Sequence, residues 1–276
     1  MKRAGVIGWP VSHSRSPLIH GYWLQRYGID GTYERYPVEP DDVANFLGTL
    51  RERGFAGCNV TLPHKEAAFA AASETRPAAR AAGAANTLWF EAGRLVADNT
   101  DSAGFMNSLA AALPALQLGG ATVSVLGAGG GARGIVFALL ERGVAEVRIF
   151  NRTRDRADAV ATYFGKKVKP HDWRDRADRS RDASLLVNTT SLGMKGAGPL
   201  DMDVSALDSN CAVADIVYVP LETPLLAAAR ARGLAAVDGL GMLLHQAVPG
   251  FEKWFGVRPE VTAELRTLIE RDIEGA

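Results

Sequence analysis

A lysine stands where a short strand gives way to a helix in Asn59-Val60-Thr61-Leu62-Pro63-His64-Lys65. Residues 55–60 read as a strand. Pro63 stops it and suits the first turn of a helix, and residues 64–72 read as that helix. Lys65 then lies in the first helical turn, where the macrodipole disfavours a cation. A lysine held against that preference has either a carboxylate partner or a task, such as general acid–base work. Standing alone, it would read as a solvated surface lysine. His64 is the rival acid, by adjacency.

A second chemical signal bears on that choice. Gly127-Ala128-Gly129-Gly130-Gly131-Ala132 follows the apolar run 122–126 and precedes a helical pattern. This matches G-x-G-x-x-A in its strand–turn–helix context. Glycines there let the backbone approach a pyrophosphate seated on helix N-terminal amides; a plain strand–helix turn is the alternative. The next strand, 147–150, ends in Asn151-Arg152-Thr153, with Arg156 one turn on. NAD sites usually place Asp or Glu there for the ribose 2′-hydroxyl. No carboxylate occupies that place. Arginine and hydroxyl groups suit a 2′-phosphate through charge-assisted hydrogen bonds, so NADP is the expected cofactor. A solvated basic helix start is the alternative, with Asp155 available for local arginine pairing.

Gly8-Trp9-Pro10-Val11-Ser12-His13-Ser14-Arg15-Ser16-Pro17 is dense in hydroxyls. Ser16 before Pro17 reads as an N-cap followed by proline at the first helical position. That leaves Ser14 unexplained, and two serines beside a helix N-terminus also suit a carboxylate. Asn86-Thr87 and Asn99-Thr100-Asp101 end two further segments. Turn-forming Asn and Asp are common at such places, but Asp101 falls at an expected domain junction, where a cleft is expected. No group of Cys, His and carboxylate has metal-ligand spacing, and no metal is expected.

These residues need a frame of strands and helices. Strand and helix patterns alternate throughout, which argues α/β with largely parallel sheets. Strands are expected at 3–8, 33–38, 87–90, 95–97, 185–188, 213–216 and 235–237, besides those named above. Helices are expected at 16–27, 102–113 and 132–142. Ala92-Gly93 reads as a hairpin turn and Asp238-Gly239 as a turn. From Leu240 an apolar face recurs at helical spacing through Leu243, Leu244, Ala247, Phe251, Trp254 and Phe255. That segment is expected to return to the first domain. The expected domains are 1–101 plus 239–276 for substrate and catalysis, and 102–238 as a Rossmann-like NADP domain. At 276 residues the chain has room for two cores. It is 47% hydrophobic and 22% charged, with 31 basic and 31 acidic residues. That balance argues for no nucleic-acid or membrane partner, and no apolar run approaches the roughly 18 residues of a membrane helix. Cys58 and Cys211 lie in apolar runs and read as buried thiols of a reducing, cytoplasmic compartment.

Taken together, the motifs resemble shikimate dehydrogenase over essentially the whole length. They are Gly8-x-Pro10-x-x-His13-Ser14-x-Ser16-Pro17, Asn59-Val60-Thr61-x-Pro63-x-Lys65, Gly83-Ala84-x-Asn86-Thr87, Asn99-Thr100-Asp101, Gly127-Ala128-Gly129-Gly130, Asn151-Arg152-Thr153, Asn188 through Met194, Asp215-x-x-Tyr218-x-Pro220-x-x-Thr223-Pro224-Leu225 and Asp238-Gly239-Leu240-Gly241-Met242-x-x-x-Gln246. The resemblance implies two α/β domains and NADP-dependent reduction of 3-dehydroshikimate to shikimate, on the route to chorismate and the aromatic amino acids. It implies that Ser14 and Ser16 hold the substrate carboxylate. Thr61, Asn86, Asp101, Tyr218 and Gln246 would reach ring hydroxyls. Lys65 would be the catalytic acid/base, with Asp101 beside it. Ile216, Gly239 and Met242 would approach the nicotinamide. Hydride transfer to a ketone leaves an alkoxide-like oxygen, which a lysine within hydrogen-bond reach can stabilise and protonate. Two departures stand out: Ser102 follows Asp101 where the family often has glycine, and Pro77 stands where many members carry an acidic residue. A quinate or dual-substrate dehydrogenase and a non-catalytic shikimate-binding paralogue are the rivals. A homodimer is left open.

Overall fold

Short apolar strands alternate with helices along the chain, and the structure, a computed structural model, describes residues 1–275. In chain order the elements are β1 (Lys2–Gly8), α1 (Ser16–Arg26), β2 (Gly31–Pro37), α2 (Val43–Gly48), β3 (Gly57–Val60), α3 (Lys65–Ala71), β4 (Glu74–Thr75), α4 (Pro77–Ala82), β5 (Thr87–Glu91), β6 (Arg94–Asp98) and α5 (Asp101–Ala112). There follow β7 (Thr122–Leu126), α6 (Gly130–Glu141), β8 (Glu146–Asn151), α7 (Arg154–Phe164), β9 (Val168–Asp172), β10 (Leu185–Asn188), β11 (Ala212–Asp215), α8 (Pro224–Ala231), β12 (Ala236–Val237), α9 (Gly239–Phe255) and α10 (Ala263–Glu274). The chain divides into two units, Met1–Gly104 with Leu244–Ala276, and Phe105–Leu243.

The first unit has one sheet in the order β2-β1-β3-β5-β6-β4. It is mixed: β1 runs parallel to β2 and β3, and β4 to β6, whereas β5 is antiparallel to both β3 and β6. Ala92 and Gly93 both have positive φ, 48° and 79°, as a two-residue hairpin turn whose twist matches its strands requires. The registers pair Asn59 with Thr87 and Thr87 with Asp98, while Ile7 pairs with Val60. The ends of β1, β3 and β6 and the start of β5 therefore lie at one edge of the sheet. Lys65, Ser14, Asn86 and Asp101 all leave from that edge.

Ile7, Phe46, Leu50, Phe55, Val60 and Leu88 belong to one core cluster of this unit. The later part of α9 supplies another, with Phe251 and Trp254 buried beside Trp23 and Tyr33. Each fully buried large side chain contributes about 1.5–3 kcal/mol. Trp254 Nε1 also donates to the Leu88 carbonyl at 2.8 Å. The approach requires glycine at 57, where an added Cβ would stand 2.2 Å from that nitrogen and 2.1 Å from the same carbonyl oxygen.

The second unit has an all-parallel sheet in the order β12-β11-β10-β7-β8-β9. Strand order runs outward in both directions from β7 and β10, which makes their boundary the topological switch point of a Rossmann-like sheet. Its strands are continuous apolar runs such as Leu185-Leu186-Val187, buried on both faces. Sequence patterning missed β9, Val-Lys-Pro-His-Asp. That strand lies at the sheet edge, where polar residues and Pro170 are tolerated.

One buried group in the first unit is costly. His20 is wholly buried, stacked on Tyr33 with ring centroids 3.9 Å apart. Neither ring nitrogen has a hydrogen-bond partner among the described residues. Burial lowers its pKa to about 3, with a smaller opposite pull from Asn59; that side chain is otherwise committed to Tyr33, Asn86 and Thr87. Below about pH 6.5 the unfolded chain binds a proton that the folded chain refuses until about pH 3. Folding stability should therefore fall by about 1.4 kcal/mol per pH unit below that point. Urea midpoints at pH 7.5 and 5 should show this loss, and His20→Phe should reduce it. An equal loss in the variant would place its source elsewhere.

Candidate functional site

Lys65 is the first residue of α3, with His64 at the N-cap. Pro63 precedes the helix in the connecting turn, one step earlier than its sequence context suggests. Asp101 is the first residue of α5. The Lys65 Nζ donates to Asp101 Oδ2 at 2.7 Å, with side chains 27% and 16% exposed. The other carboxylate oxygen, Oδ1, accepts from Asn86 Nδ2 at 2.9 Å. Asn86 Nδ2 also lies 3.3 Å from Gln246 Oε1. Lys65, Asn86, Asp101 and Gln246 thus form one hydrogen-bonded group. His64 is separate from it: the ring is buried, and Nε2 donates to the Val38 carbonyl at 2.7 Å. That contact gives His64 a structural role.

The serine loop is stitched to the Lys65 loop through backbone. Trp9 N–H donates to the Leu62 carbonyl at 3.0 Å and Thr61 N–H to the Ile7 carbonyl at 2.9 Å. The Thr61 methyl packs so closely on Gly8 that an added Cβ there would meet it at 2.4 Å. The expected cap at Ser16 is corrected by the structure. Arg15 is the N-cap of α1, and Ser16 is its first helical residue. Ser14 Oγ instead accepts the Ser16 N–H at 3.3 Å, so Ser14 tethers the helix entry. Arg35, not singled out in the sequence, forks the Ser14 carbonyl with Nε at 2.9 Å and Nη2 at 2.6 Å. Arg15 pairs with Asp272 of α10 at 2.9 Å.

In the second unit, Gly127 has φ +105°, and an added Cβ would stand 2.7 Å from Thr189 Oγ1. Only glycine makes this turn without strain. Gly129 is the N-cap of α6 and contributes no side chain, and added Cβ atoms at Gly129 and Gly130 would meet nothing within 4 Å. Ala128 is buried, and Gly131 faces Ile216. The start of α6 therefore offers backbone amides and open space, which fits a pyrophosphate. At the end of β8, Asn151 Nδ2 donates to the Thr153 carbonyl at 2.8 Å. Arg154 is committed to Asp158 and Asp172 at 3.0 and 2.9 Å; Asp155 is not its partner. Arg152 and Arg156 are exposed and make no ion pair among the described residues. Two uncommitted guanidiniums beside the Thr153 hydroxyl fit a 2′-phosphate.

Asp215 shapes the segment that carries Ile216 and Tyr218. It is buried and accepts from Asn188 Nδ2 at 2.9 Å, Val217 N–H at 3.0 Å and Thr223 Oγ1 at 2.8 Å. Burial raises its pKa, and these three contacts pull the other way. Gly239 opens α9 close against this segment, where an added Cβ would meet the Ile216 carbonyl oxygen at 2.3 Å. Met242 and Ile216 pack on the core of this unit.

Three family profiles match the chain: "Shikimate dehydrogenase substrate binding domain" over residues 6–88, "Shikimate / quinate 5-dehydrogenase" over 109–193 and "Shikimate 5'-dehydrogenase C-terminal domain" over 239–266. A shikimate dehydrogenase (NADP(+)) from Azorhizobium caulinodans is 54% identical over 99% of this chain and 97% of its own. Shikimate 5-dehydrogenase from Thermus thermophilus, solved in complex with NADP(H) and shikimate, superposes with a TM-score of 0.85 at 37% identity, covering 100% of this chain and 99% of the other. Quinate dehydrogenase from Corynebacterium glutamicum, in complex with NAD, gives a TM-score of 0.88 at 32% identity, covering 97% and 98%.

Gly127→Ala should be costly on steric grounds alone. Its left-handed backbone and the contact with Thr189 predict a stability loss of about 1–3 kcal/mol, read as a drop in the denaturant midpoint. Weaker cofactor binding should accompany it. A near-wild-type midpoint would mean that the loop relaxes without cost.

Proposed function

Because the chain belongs to the shikimate dehydrogenase family, we propose that it catalyses the reversible, NADP-dependent reduction of 3-dehydroshikimate to shikimate. The observation that carries this reading is the Lys65–Asp101 pair at 2.7 Å, with Asn86 on the second carboxylate oxygen. The unit Met1–Gly104 with Leu244–Ala276 binds the substrate, and Phe105–Leu243 binds the cofactor. When bound, NADPH supplies the hydride. Lys65 Nζ hydrogen-bonds the substrate oxygen that gains negative charge and delivers a proton to it; in the reverse direction it takes that proton back. Asp101 orients the ammonium. Ser14 and Ser16 hold the substrate carboxylate, and Thr61, Asn86, Tyr218 and Gln246 contact ring hydroxyls. Gly127 to Gly131 cradle the pyrophosphate, Asn151, Arg152, Thr153 and Arg156 take the 2′-phosphate, and Ile216, Gly239 and Met242 line the nicotinamide.

The rival chemistry is quinate oxidation with NAD. The uncommitted Arg152 and Arg156 favour the phosphorylated cofactor, and a non-catalytic binding protein has no need of the Lys65–Asp101 pair. We assign the reaction to the cytoplasm, a reading supported by two buried free thiols, Cys58 and Cys211. No helix of the described residues is long and apolar enough to cross a membrane.

Cofactor absorbance with shikimate or quinate, and NADP or NAD, is the direct test; turnover should be fastest with shikimate and NADP. Lys65→Ala should lower turnover roughly 10²–10⁴-fold, the usual loss for a general acid–base group, and should change substrate affinity much less. Near-normal turnover would remove Lys65 from the chemistry. Replacing Arg152 and Arg156 together with neutral residues should raise the KM for NADP and leave that for NAD nearly unchanged. Each charged hydrogen bond lost is worth about 1.5–3 kcal/mol. If both cofactors suffer equally, the arginines serve only the fold.

A further inference from the structure

We propose that Thr87 is a positioning residue for the acid–base pair, acting through a buried chain of donors and acceptors that sets which way the Asn86 carboxamide faces. The inference rests on the role of Lys65 proposed above. An asparagine amide offers an acceptor on one side and a donor on the other, in two orientations of nearly equal shape. Asn86 must present its NH2 group to Asp101, where Nδ2 donates to Oδ1 at 2.9 Å. Reversed, it would set a carbonyl oxygen against the carboxylate and push Asp101 away from Lys65.

The order of donors begins at Tyr33. Its phenol is buried, and burial holds its pKa well above 10, so it stays a donor. It donates to Asn59 Oδ1 at 2.6 Å. That contact turns Asn59 Nδ2 toward the Asn86 carbonyl and Thr87 Oγ1, both at 3.1 Å. Thr87 therefore receives a hydrogen bond from Asn59 and sends its single proton onward, to Asn86 Oδ1 at 3.0 Å, the nearer of two acceptors, with Thr100 Oγ1 at 3.1 Å. The Thr100 hydroxyl also lies within reach of Asn86 Oδ1, at 3.1 Å, but the Gln246 carbonyl is closer, at 2.8 Å. A backbone carbonyl can only accept, so Thr100 sends its proton there. Thr87 is left as the side-chain hydroxyl that serves Asn86 Oδ1, beside the Thr100 N–H at 2.8 Å. Asn59, Asn86 and Thr87 are all buried, where each unmatched donor or acceptor is expensive. The hydrogen-bond direction set at Tyr33 thus reaches Asp101 and, through it, Lys65.

The test uses the full-length enzyme with Thr87→Val, Thr87→Ser, Lys65→Ala and the Thr87→Val/Lys65→Ala double variant. Thr87→Val should lower kcat roughly ten- to a hundredfold, by analogy with the loss when a partner that orients a metal ligand is removed. The KM for NADP should not move. Thr87→Ser, which keeps the hydroxyl, should restore most of the rate. In the Lys65→Ala background Thr87→Val should cost little more, because both act through one pair. An unchanged kcat in Thr87→Val, an equal loss in Thr87→Ser, or the same factor lost on both backgrounds would overturn the proposal. If Thr87→Val does not fold, Tyr33→Phe breaks the same chain at its origin, and an unchanged kcat there would overturn it equally. Near-normal turnover in Lys65→Ala alone would sink the acid–base role itself. A crippled Lys65→Ala beside an unimpaired Thr87→Val would remove only the positioning role.

Discussion

A cation at the start of a helix is opposed by that helix's own dipole, and the Lys65–Asp101 contact answers that opposition. Lys65 opens α3, the unfavourable end for an ammonium. Asp101 opens α5, the favourable end for a carboxylate. Contact at 2.7 Å lets the well-placed charge hold the badly placed one. The arrangement is asymmetric. Without Lys65, Asp101 keeps its helix and its bond from Asn86; without Asp101, Lys65 keeps only a repulsive dipole. Among the described residues, Asp101 is the side chain that holds the Lys65 ammonium.

The second unit follows a related rule, in which fixed groups are satisfied internally and working groups are left open. Thr223 caps α8 with its side chain, accepting from the Leu226 N–H. Thr153 occupies the same N-cap place on α7 and makes no such bond. Arg154 is locked to two carboxylates, while its neighbours Arg152 and Arg156 are not. Gly129 brings no side chain to the start of α6 at all. The open groups are those that suit an anionic dinucleotide.

Much of this was legible because it is local. The strand–glycine–helix run around Gly127, the hairpin at Ala92-Gly93 and the apolar face from Leu240 each depend on a short window of residues. What was not legible depends on distant partners. Ser16 reads as a cap, but the helix entry is tied down by Ser14 and braced by Arg35 from β2, across a strand pairing that sequence does not display. His64 looks like a rival acid until Val38, on another segment, takes its ring. Asn59 stands out only as a polar residue next to the end of an apolar strand. That was a usable signal, since a buried amide needs partners on both sides.

The mixed strand pairing of the first unit also explains how the site is assembled. In an all-parallel sheet the functional ends are the C-terminal ends of strands, and residues just before a strand are carried to the opposite edge. Asn86 and Thr87 stand at the start of β5. Reversal of β5 against both β3 and β6 brings that start beside Asn59 and Asp98. The strand that follows the hairpin then ends three residues before Asp101. One tight turn with two positive φ angles therefore sets the direction of β6 and delivers Asp101 back to Asn86. The Asp101 carboxylate and the Asn86 amide that donates to it lie at opposite ends of one hairpin sequence, and the antiparallel pairing is what makes them neighbours.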